Sequence, residues 1–281
     1  MPELPEVESV KLQLTKYLVG HTIEGIEVKT KKVFPDDPKE VISAKITGVK
    51  RFGKLLVVNL SNNHSFLMHL KLTGQPIYRG PNLKTPPKLS DKVFGGVPGK
   101  HTHVIIKLDR GGVLYYNDLR KFGWIKIAQT SKLSDEGFIK NLGPEPLKDL
   151  TLEKFKDILT KTKRAIKIVL MDQSKIAGVG NIYANDALWF AGINPKRAAN
   201  VLTSKEQEKL FDSIIKVLKD GIKMGGSSDH AFVTPDGAEG HYQDFTLIYD
   251  KEGEKCKRCG TEINKIQLGG RGTYFCPHCQ K

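Results

Sequence analysis

Leu142-Gly143-Pro144-Glu145-Pro146-Leu147 divides the chain into two halves with different patterns of apolar residues. Before this segment, short runs rich in Val, Ile and Leu alternate with polar turns, which is typical of a β-sandwich or barrel. After it, apolar residues recur at helical spacing. Its two prolines suit a semi-rigid connection. The sequence therefore predicts two domains joined by a hinge at residues 131–150.

The N-terminal domain, residues 1–130, is predicted to open with a helix and to continue as strands. The helix is expected over Pro5–Leu18. Strands are expected at Thr22–Thr30, Ala44–Lys50, Leu55–Leu60, Ser65–Leu70, His103–Leu108, Val113–Tyr116 and Trp124–Ile127. Residues 79–100 carry Pro, Gly and Lys without periodicity, which predicts a long mobile loop.

The second domain, residues 151–250, is predicted to be helical. Helices are expected at Thr151–Thr162, Arg164–Met171, Asn181–Ala191 and Lys205–Met224. A Thr203…Glu206 capping box and the pair Gly225-Gly226 bound the last of these helices. Residues 227–243 read as a flexible polar loop, and residues 251–281 form a separate module that contains every cysteine of the chain.

The composition excludes several classes of protein. The 281 residues are 39% hydrophobic and carry a formal net charge of +14, so the chain can close a core and is not disordered. No apolar run approaches the ~18 residues that a membrane span needs, and no export signal opens the chain. A cytoplasmic protein without membrane contact is expected, and its basic charge favours a polyanionic partner.

The cysteines form a C-x2-C-x16-C-x2-C pattern made of Cys256, Cys259, Cys276 and Cys279. Two thiolate pairs at this spacing can hold one tetrahedral Zn²⁺. Two disulfides are the alternative, which a reducing cytoplasm disfavours. Since four sulphur ligands leave no position for a catalytic water, the zinc is predicted to be structural. The segment Gly269-Gly270-Arg271-Gly272 between the two cysteine pairs predicts a turn, which would place Arg271 at the tip of a hairpin.

The amino terminus, Met1-Pro2-Glu3-Leu4-Pro5-Glu6, has the early proline and the acidic residues of a helix start. If Met1 is removed, Pro2 gains a secondary amine, and a chain-terminal amine has a pKa of about 7.7–8.0. Such an amine attacks an electrophilic carbon and forms an iminium. Glu3 is a candidate general acid/base and Lys54 a candidate second cation.

A glycine-rich turn precedes one predicted helix, in Ile176-Ala177-Gly178-Val179-Gly180-Asn181-Ile182-Tyr183. Asn181 is a candidate N-cap, and the N–H groups beyond it can bind a phosphate. Alone this signal is weak, because such turns are more often plain connections.

Together these motifs resemble the formamidopyrimidine-DNA glycosylase family (Fpg, with its Nei-type relatives). The resemblance runs the length of the chain, and its start is closer to Fpg than to the bacterial Nei pattern. The matching segments are Pro2-Glu3-Leu4-Pro5-Glu6-Val7-Glu8, Arg51-Phe52-Gly53-Lys54, His69-Leu70-x-x-x-Gly74, Lys100-His101-x-His103, Asp118-x-Arg120-Lys121-Phe122-Gly123, residues 142–147, residues 177–184 and Arg271-Gly272-Thr273.

The resemblance implies an α+β multidomain fold. An N-terminal β-sandwich with an opening catalytic helix would be followed by a C-terminal helical domain with a helix–two-turn–helix motif and by a four-cysteine zinc finger. In this scheme residues 225–243 become a lesion-recognition loop within the helical domain.

The resemblance also implies a bifunctional DNA glycosylase/AP lyase of base excision repair. The substrate would be duplex DNA with 8-oxoguanine, formamidopyrimidines or abasic sites, and a Schiff base at Pro2 would lead to β,δ-elimination. The implied catalytic residues are Pro2, Glu3, Lys54 and Glu6. The implied DNA-binding residues are Asn181, Arg271, Arg120, Phe122, Leu72, His101 and Lys163. A cytoplasmic, nucleoid-associated monomer is expected.

Two departures from the family pattern bear on substrate choice. Leu72 stands where family members typically carry a Met that fills the space left by the extruded base. The lesion-recognition loop reads Gly225-Gly226-Ser227-Ser228-Asp229-His230-Ala231-Phe232, unlike many Fpg proteins. The alternatives are therefore a Nei-like enzyme that prefers oxidised pyrimidines or secondary lesions, and a non-catalytic binder of damaged DNA. The joint presence of Pro2, Glu3 and Lys54 argues against the binder.

Overall fold

The computed structural model describes residues 1–281, which form two units. The first unit contains residues 1–140 and 222–243, and the second contains residues 141–221 and 244–281.

The first unit is a β-sandwich opened by helix α1, Leu4–Leu18, which confirms the predicted fold. One antiparallel sheet has the strand order β1-β6-β7-β5 and the other β2-β3-β4-β8. The strands are β1 (Ile23–Val28), β2 (Ile46–Phe52), β3 (Leu55–Leu60), β4 (His64–His69), β5 (Gly74–Arg79), β6 (Thr102–Leu108), β7 (Val113–Asp118) and β8 (Trp124–Gln129). Of these eight strands only β5 was not predicted, because it carries glycine and proline at its first and third positions, and strands rarely contain these residues.

Strand β3 is buried on both faces, and the residues that cover its outer face extend the first unit beyond β8. Side chains alternate along the strand, so Leu56 and Val58 join the core shared with α1 while Val57 faces the other side. Leu133 and Ile139, which lie in the turn Thr130–Asp135 and in helix α2, Gly137–Lys140, cover that outer face. Residues 131–140, the first part of the predicted hinge at residues 131–150, therefore lie in the sandwich unit.

In the structure, residues 225–243 group with the first unit, although they were predicted as a loop of the helical domain. Phe232 is 6% exposed and lies in the sandwich core. Val233 packs with Ile77 of β5 and with Val93. These apolar side chains anchor the segment that its polar composition suggested would be a flexible loop. Residues 80–100 lack helices and strands, as predicted for the range 79–100 apart from Arg79, which ends β5, and Val93 fixes this segment to the same cluster.

The second unit is helical and ends in a hairpin, again as predicted. Its helices are α3 (Leu152–Thr160), α4 (Ile166–Met171), α5 (Asn181–Ala191) and all but the last two residues of α6 (Ser204–Lys223). Its strands are β9 (Asn264–Leu268) and β10 (Arg271–Phe275). The capping box is confirmed, since the Thr203 N–H donates to Glu206 Oε2 at 2.8 Å and the Glu206 N–H donates to Thr203 Oγ1 at 3.3 Å. No helix of the chain combines the length and apolar character needed to cross a membrane.

The proline-containing segment at residues 142–147 is built into the second unit. The Gly143 N–H donates to the Gln173 carbonyl at 2.9 Å, and the Ala177 N–H donates to the Pro144 carbonyl at 3.0 Å. A β-carbon on Gly143 would lie 2.5 Å from the Lys175 carbonyl group, so only glycine permits this approach. Local composition does not reveal this close docking of residues 142–147.

Candidate active site

The start of α1 buries two carboxylates directly after Pro2, which is itself buried. Glu3 is 3% exposed and Glu6 is 1% exposed. The Glu3 N–H, which belongs to the peptide that joins it to Pro2, donates to Glu6 Oε2 at 2.7 Å. Acidic groups are stabilised at this end of a helix by its dipole. The first turn of α1 thus fixes a carboxylate beside the Pro2-Glu3 peptide.

The second oxygen of the Glu6 carboxylate binds the segment that follows α6. The Ser227 N–H donates to Glu6 Oε1 at 2.8 Å. Gly226 has a φ of +86°, and a β-carbon there would lie 2.8 Å from Glu6 Cγ. Glycine is therefore required by both backbone conformation and space. Glu6 connects the amino terminus to residues 226–227.

Lys54 lies in the turn between β2 and β3 and is 5% exposed. Arg51 fixes this turn to α1, because its Nη1 donates to the Gly53 carbonyl at 2.9 Å and its Nε to Glu8 Oε2 at 2.8 Å. Burial alone would raise the pKa of the Glu8 carboxyl, but hydrogen bonds from Lys11 and Arg51 hold it below its usual value. The charged pair of Glu8 and Arg51 therefore holds the Lys54 turn against α1.

His69, at the end of β4, is a buried neutral imidazole close enough to Lys54 to feel its charge. Burial, followed by the positive charges of Lys71 and Lys54, lowers the pKa of His69 to about 3. Its Nδ1 accepts the Lys71 N–H at 3.0 Å, so the proton is on Nε2. The rings of Phe138 and Trp124 lie with their centroids 4.8 and 5.9 Å from that of His69. His69 thereby supports the start of the loop that carries Leu72.

This burial predicts an acid-dependent loss of stability. Below the ordinary histidine pKa of about 6.5, the unfolded chain binds a proton that folded His69 does not, so stability falls as the pH decreases from about 6.5 towards about 3. At pH 5 the loss is about 2 kcal/mol. Denaturant unfolding of the wild type and of His69→Gln at pH 7.5 and pH 5 measures it. We expect the variant to lose about 2 kcal/mol less, and parallel losses in both proteins would contradict the assignment.

Phe122 and Arg120 project together from the turn between β7 and β8. Phe122 is 47% exposed, so it is not a core aromatic residue. The Arg120 guanidinium lies 4.7 Å from the centre of the Phe122 ring. Leu72 is half-buried on the turn between β4 and β5. These three side chains are the ones predicted to fill the DNA stack.

A single buried carboxylate, Asp118, connects the two turns that carry these side chains. Its Oδ1 accepts the Thr73 hydroxyl and, at 3.1 Å, the Arg120 N–H. Its Oδ2 accepts the Gly123 N–H at 2.7 Å. The sequence motif contained Asp118 but gave it no role, although an acidic residue at the end of a buried strand is a signal for such turn capping.

His101 lies half-buried in a cationic part of the first unit. Burial, followed by the charges of Lys100, His103 and Lys121, lowers the pKa of His101 below its ordinary value. A ring N–H of His101 is a donor of the kind that a phosphate oxygen accepts. Lys163, the other additional contact predicted from the resemblance, is exposed in the connection between α3 and α4 of the second unit.

The second unit brings Asn181 next to the hairpin that carries Arg271. Gly180 rather than Asn181 is the N-cap of α5, and the Asn181 side chain instead donates to the Gly272 carbonyl at 3.1 Å. Lys167, which is fully buried, donates to the same carbonyl at 2.8 Å and to Thr273 Oγ1 at 2.7 Å. These bonds fix the backbone beside exposed Arg271. Sequence reasoning missed Lys167 because its helix looked apolar and ordinary.

The four cysteines are arranged for one metal ion. Cys256 and Cys279 have their sulphurs 4.0 Å apart, Cys259 and Cys276 have theirs 3.6 Å apart, and all four lie within 4.8 Å of one another. A disulfide requires about 2.05 Å. Sulphurs bound at about 2.3 Å to tetrahedral zinc lie about 3.8 Å apart. The site therefore fits one structural Zn²⁺, and the disulfide alternative is wrong.

The metal site is packed against the C-terminal end of α5. The Arg258 guanidinium lies 3.9 Å from the centre of the Trp189 ring and donates to the Trp189 carbonyl at 2.6 Å. A cation stabilises this end of a helix. The Tyr274 N–H also donates to Asn185 Oδ1 at 2.9 Å. These contacts fix the metal site and the hairpin that carries Arg271 to α5.

Comparisons with known proteins agree with this geometry. Residues 1–125 match the formamidopyrimidine-DNA glycosylase N-terminal domain, residues 142–233 the formamidopyrimidine-DNA glycosylase H2TH domain, and residues 253–281 the zinc finger found in FPG and IleRS. The chain is 41% identical over 287 residues to the formamidopyrimidine-DNA glycosylase of Pelotomaculum thermopropionicum, covering 100% of this chain and 99% of that protein. The chain belongs to the formamidopyrimidine-DNA glycosylase family.

Two solved structures of Lactococcus lactis Fpg extend the comparison. One is a complex with DNA that contains N7-benzyl-Fapy-dG, and it matches with a TM-score of 0.87 at 36% identity over 100% of both chains. The other is a complex with DNA that contains an abasic site, and it matches with a TM-score of 0.87 at 36% identity over 99% of both chains.

In this Fpg family member the predicted residues form local groups. The start of α1 collects Pro2, Glu3 and Glu6, and the Glu8–Arg51 pair holds the Lys54 turn to the same helix. The second unit collects Asn181 and Arg271 through Gly272. Lys163 stands apart from these hydrogen-bonded groups, at an exposed position beside Arg164, which pairs with Asp172 at 2.7 Å.

Proposed function

We propose that this protein is a bifunctional DNA glycosylase/AP lyase that excises oxidised purines, 8-oxoguanine and formamidopyrimidines, in base excision repair. The observation that carries the proposal is the buried pair Glu3 and Glu6 at the start of a helix, directly after Pro2, in a chain of this family. The Lactococcus lactis relative binds DNA with a modified Fapy-dG, which supports a purine substrate.

The nucleophile of the proposed reaction is the nitrogen of Pro2. While Met1 is attached, this nitrogen is an amide and its lone pair is delocalised into the carbonyl group. After Met1 is removed it becomes a secondary amine that attacks C1′ of the damaged nucleotide. The glycosidic bond breaks, the base leaves with the bonding electrons and takes up a proton, and the sugar ring opens as the iminium forms.

Glu3 is the group proposed to move protons in these steps. Its carboxylate stands on the residue next to the nucleophile and is shielded from solvent. It can take up the proton that the Pro2 nitrogen loses after attack and donate it to the sugar oxygen as the ring opens. The iminium then acidifies C2′, so loss of a C2′ proton expels the 3′ phosphate and a further elimination expels the 5′ phosphate. Glu6 orders the site through the Glu3 and Ser227 amides.

DNA binding is proposed to use groups in both units. The net charge of +14 favours a polyanion. Arg271 and Asn181 in the second unit, with Lys54 and His101 in the first, are proposed phosphate contacts, while Lys163 adds a peripheral charge. Leu72, Arg120 and Phe122 would occupy the stack from which the nucleotide is extruded. A monomer acting on duplex DNA at the cytoplasmic nucleoid is the proposed working form.

A panel of duplexes tests the substrate class. We expect release of formamidopyrimidine and 8-oxoguanine to be faster than release of an oxidised pyrimidine, with phosphate left at both ends of the gap. Base release and strand products are read from single-turnover time courses on gels. Faster pyrimidine release would identify the Nei-like alternative. Binding without base release, strand cleavage or a trapped adduct would identify a non-catalytic binder.

A further inference from the structure

An ion pair joins the long loop at residues 79–100 to the segment that contacts Glu6. Lys92 Nζ lies 2.7 Å from Glu239 Oε2 and also donates to the Ser228 carbonyl. The Ser90 hydroxyl donates to Glu239 Oε1 at 2.5 Å. These hydrogen bonds, that of Lys92 first, lower the pKa of the Glu239 carboxyl, so it is charged at neutral pH. The two ends of residues 228–239 are thereby held by one lysine.

Further bonds from the first unit fix the interior of the same segment. Gln75 Nε2 donates to the Lys92 carbonyl and to the Ala231 carbonyl, both at 2.7 Å. The Ser228 hydroxyl donates to the Phe232 carbonyl at 2.8 Å and accepts the Gly240 N–H at 2.9 Å. Residues 226–240 are consequently a closed loop whose shape depends on contacts with residues 75–93.

The start of this loop presents a polar group that has no partner in the protein. Ser227 is 5% exposed, and its Oγ forms no hydrogen bond, although its N–H is bound to Glu6. A buried hydroxyl without a partner is costly, so a ligand that supplies one is favoured. Glu6 also binds the amide that follows Pro2, which places this hydroxyl at the reacting end of α1.

We propose that the Lys92–Glu239 pair is a positioning element that holds residues 226–240 in the conformation that presents the Ser227 hydroxyl to the extruded base. This inference rests on the proposed function, because it takes the ligand at the start of α1 to be a nucleobase. It assigns residues 79–100 a part in base selection. The pair itself touches no reacting atom. Its effect should therefore be confined to base release, the step in which the extruded base lies beside Ser227.

Glu239→Gln and Lys92→Ala test this by comparing two reactions of the same enzyme. We expect single-turnover release of formamidopyrimidine to fall roughly fivefold, as for loss of a hydrogen-bonded ion pair. Cleavage of a duplex with a preformed abasic site should change less than about twofold, because no base is bound in that reaction. Hydrogen exchange in peptides spanning residues 226–240 should become faster in both variants.

Two further proteins serve as controls. Lys88→Ala removes an equal charge from the same loop at an exposed residue, and it should match the wild type in all three measurements. Lys92→Arg keeps the positive charge and the hydrogen-bond donors that reach Glu239 and the Ser228 carbonyl, so it should retain base release and slow exchange. Unchanged base release in Glu239→Gln and Lys92→Ala, or equal losses of both reactions in these variants, would overturn the inference. If the wild type itself cleaves neither duplex, the proposed function fails, while the exchange data still decide whether the pair holds the loop.

Discussion

A chain that keeps Met1 is expected to form no covalent adduct with abasic-site DNA when borohydride is added. Pro2→Glu creates such a chain, because methionine is removed efficiently only before small residues, and it also eliminates the secondary amine. Base release should fall at least about a thousandfold, since the reaction loses its nucleophile. Intact mass establishes the state of the amino terminus, and trapping on denaturing gels measures the adduct.

Pro5→Ala is the matched control for this variant. It changes a second proline in the same turn of α1 but leaves the Pro2 amine and the Glu3–Glu6 hydrogen bond in place. It should form the adduct at a rate close to that of the wild type. Efficient trapping by protein whose mass shows Met1 would refute the assignment of Pro2 as the nucleophile.

Removing the zinc is expected to weaken DNA binding about a hundredfold, which corresponds to about 2.7 kcal/mol. The hairpin that carries Arg271 is ordered by the four thiolates and by the contact of Arg258 with α5, and metal binding is coupled to folding in such modules. Cys259→Ser and chelated wild-type protein should both show this loss in binding titrations at fixed salt concentration.

Returning Zn²⁺ separates loss of the metal from other damage. The chelated wild type should regain its affinity, and Cys259→Ser should regain much less. The sandwich in the first unit should give the same hydrogen exchange in all samples. Full DNA affinity in metal-free protein would show that the finger is not needed to place Arg271.

Elements with a strong local pattern were predictable from the sequence. Strand β3 was found at its observed bounds because its run of apolar residues lies between turn signals. Helix α5 was predicted at its observed bounds because two glycines precede it, and in the structure Gly192 ends it with a φ of +75°. The zinc ligands were identified because their spacing alone restricts their chemistry.

Contacts between distant residues were not predictable in this way. Ser227 and Glu6 are separated by 221 positions, and nothing near either residue indicates the other. The polar composition around residues 225–243 concealed the fact that Phe232 enters the sandwich core. Nothing in the short apolar helix that carries Lys167 indicates that this side chain is buried against Gly272 and Thr273. Such features follow from tertiary packing, which overrides local preference.

The Asp118 carboxylate couples the turn between β4 and β5 to the turn between β7 and β8, so the two turns cannot be redesigned independently. The Thr73 hydroxyl and the Arg120 and Gly123 amides all donate hydrogen bonds to this carboxylate. Lengthening either turn would therefore disturb the hydrogen bonds that hold the other turn. Libraries that vary the side chain at residue 72 and the one at residue 122 should therefore be screened jointly, since a gain found at one position need not survive a change of backbone at its neighbour.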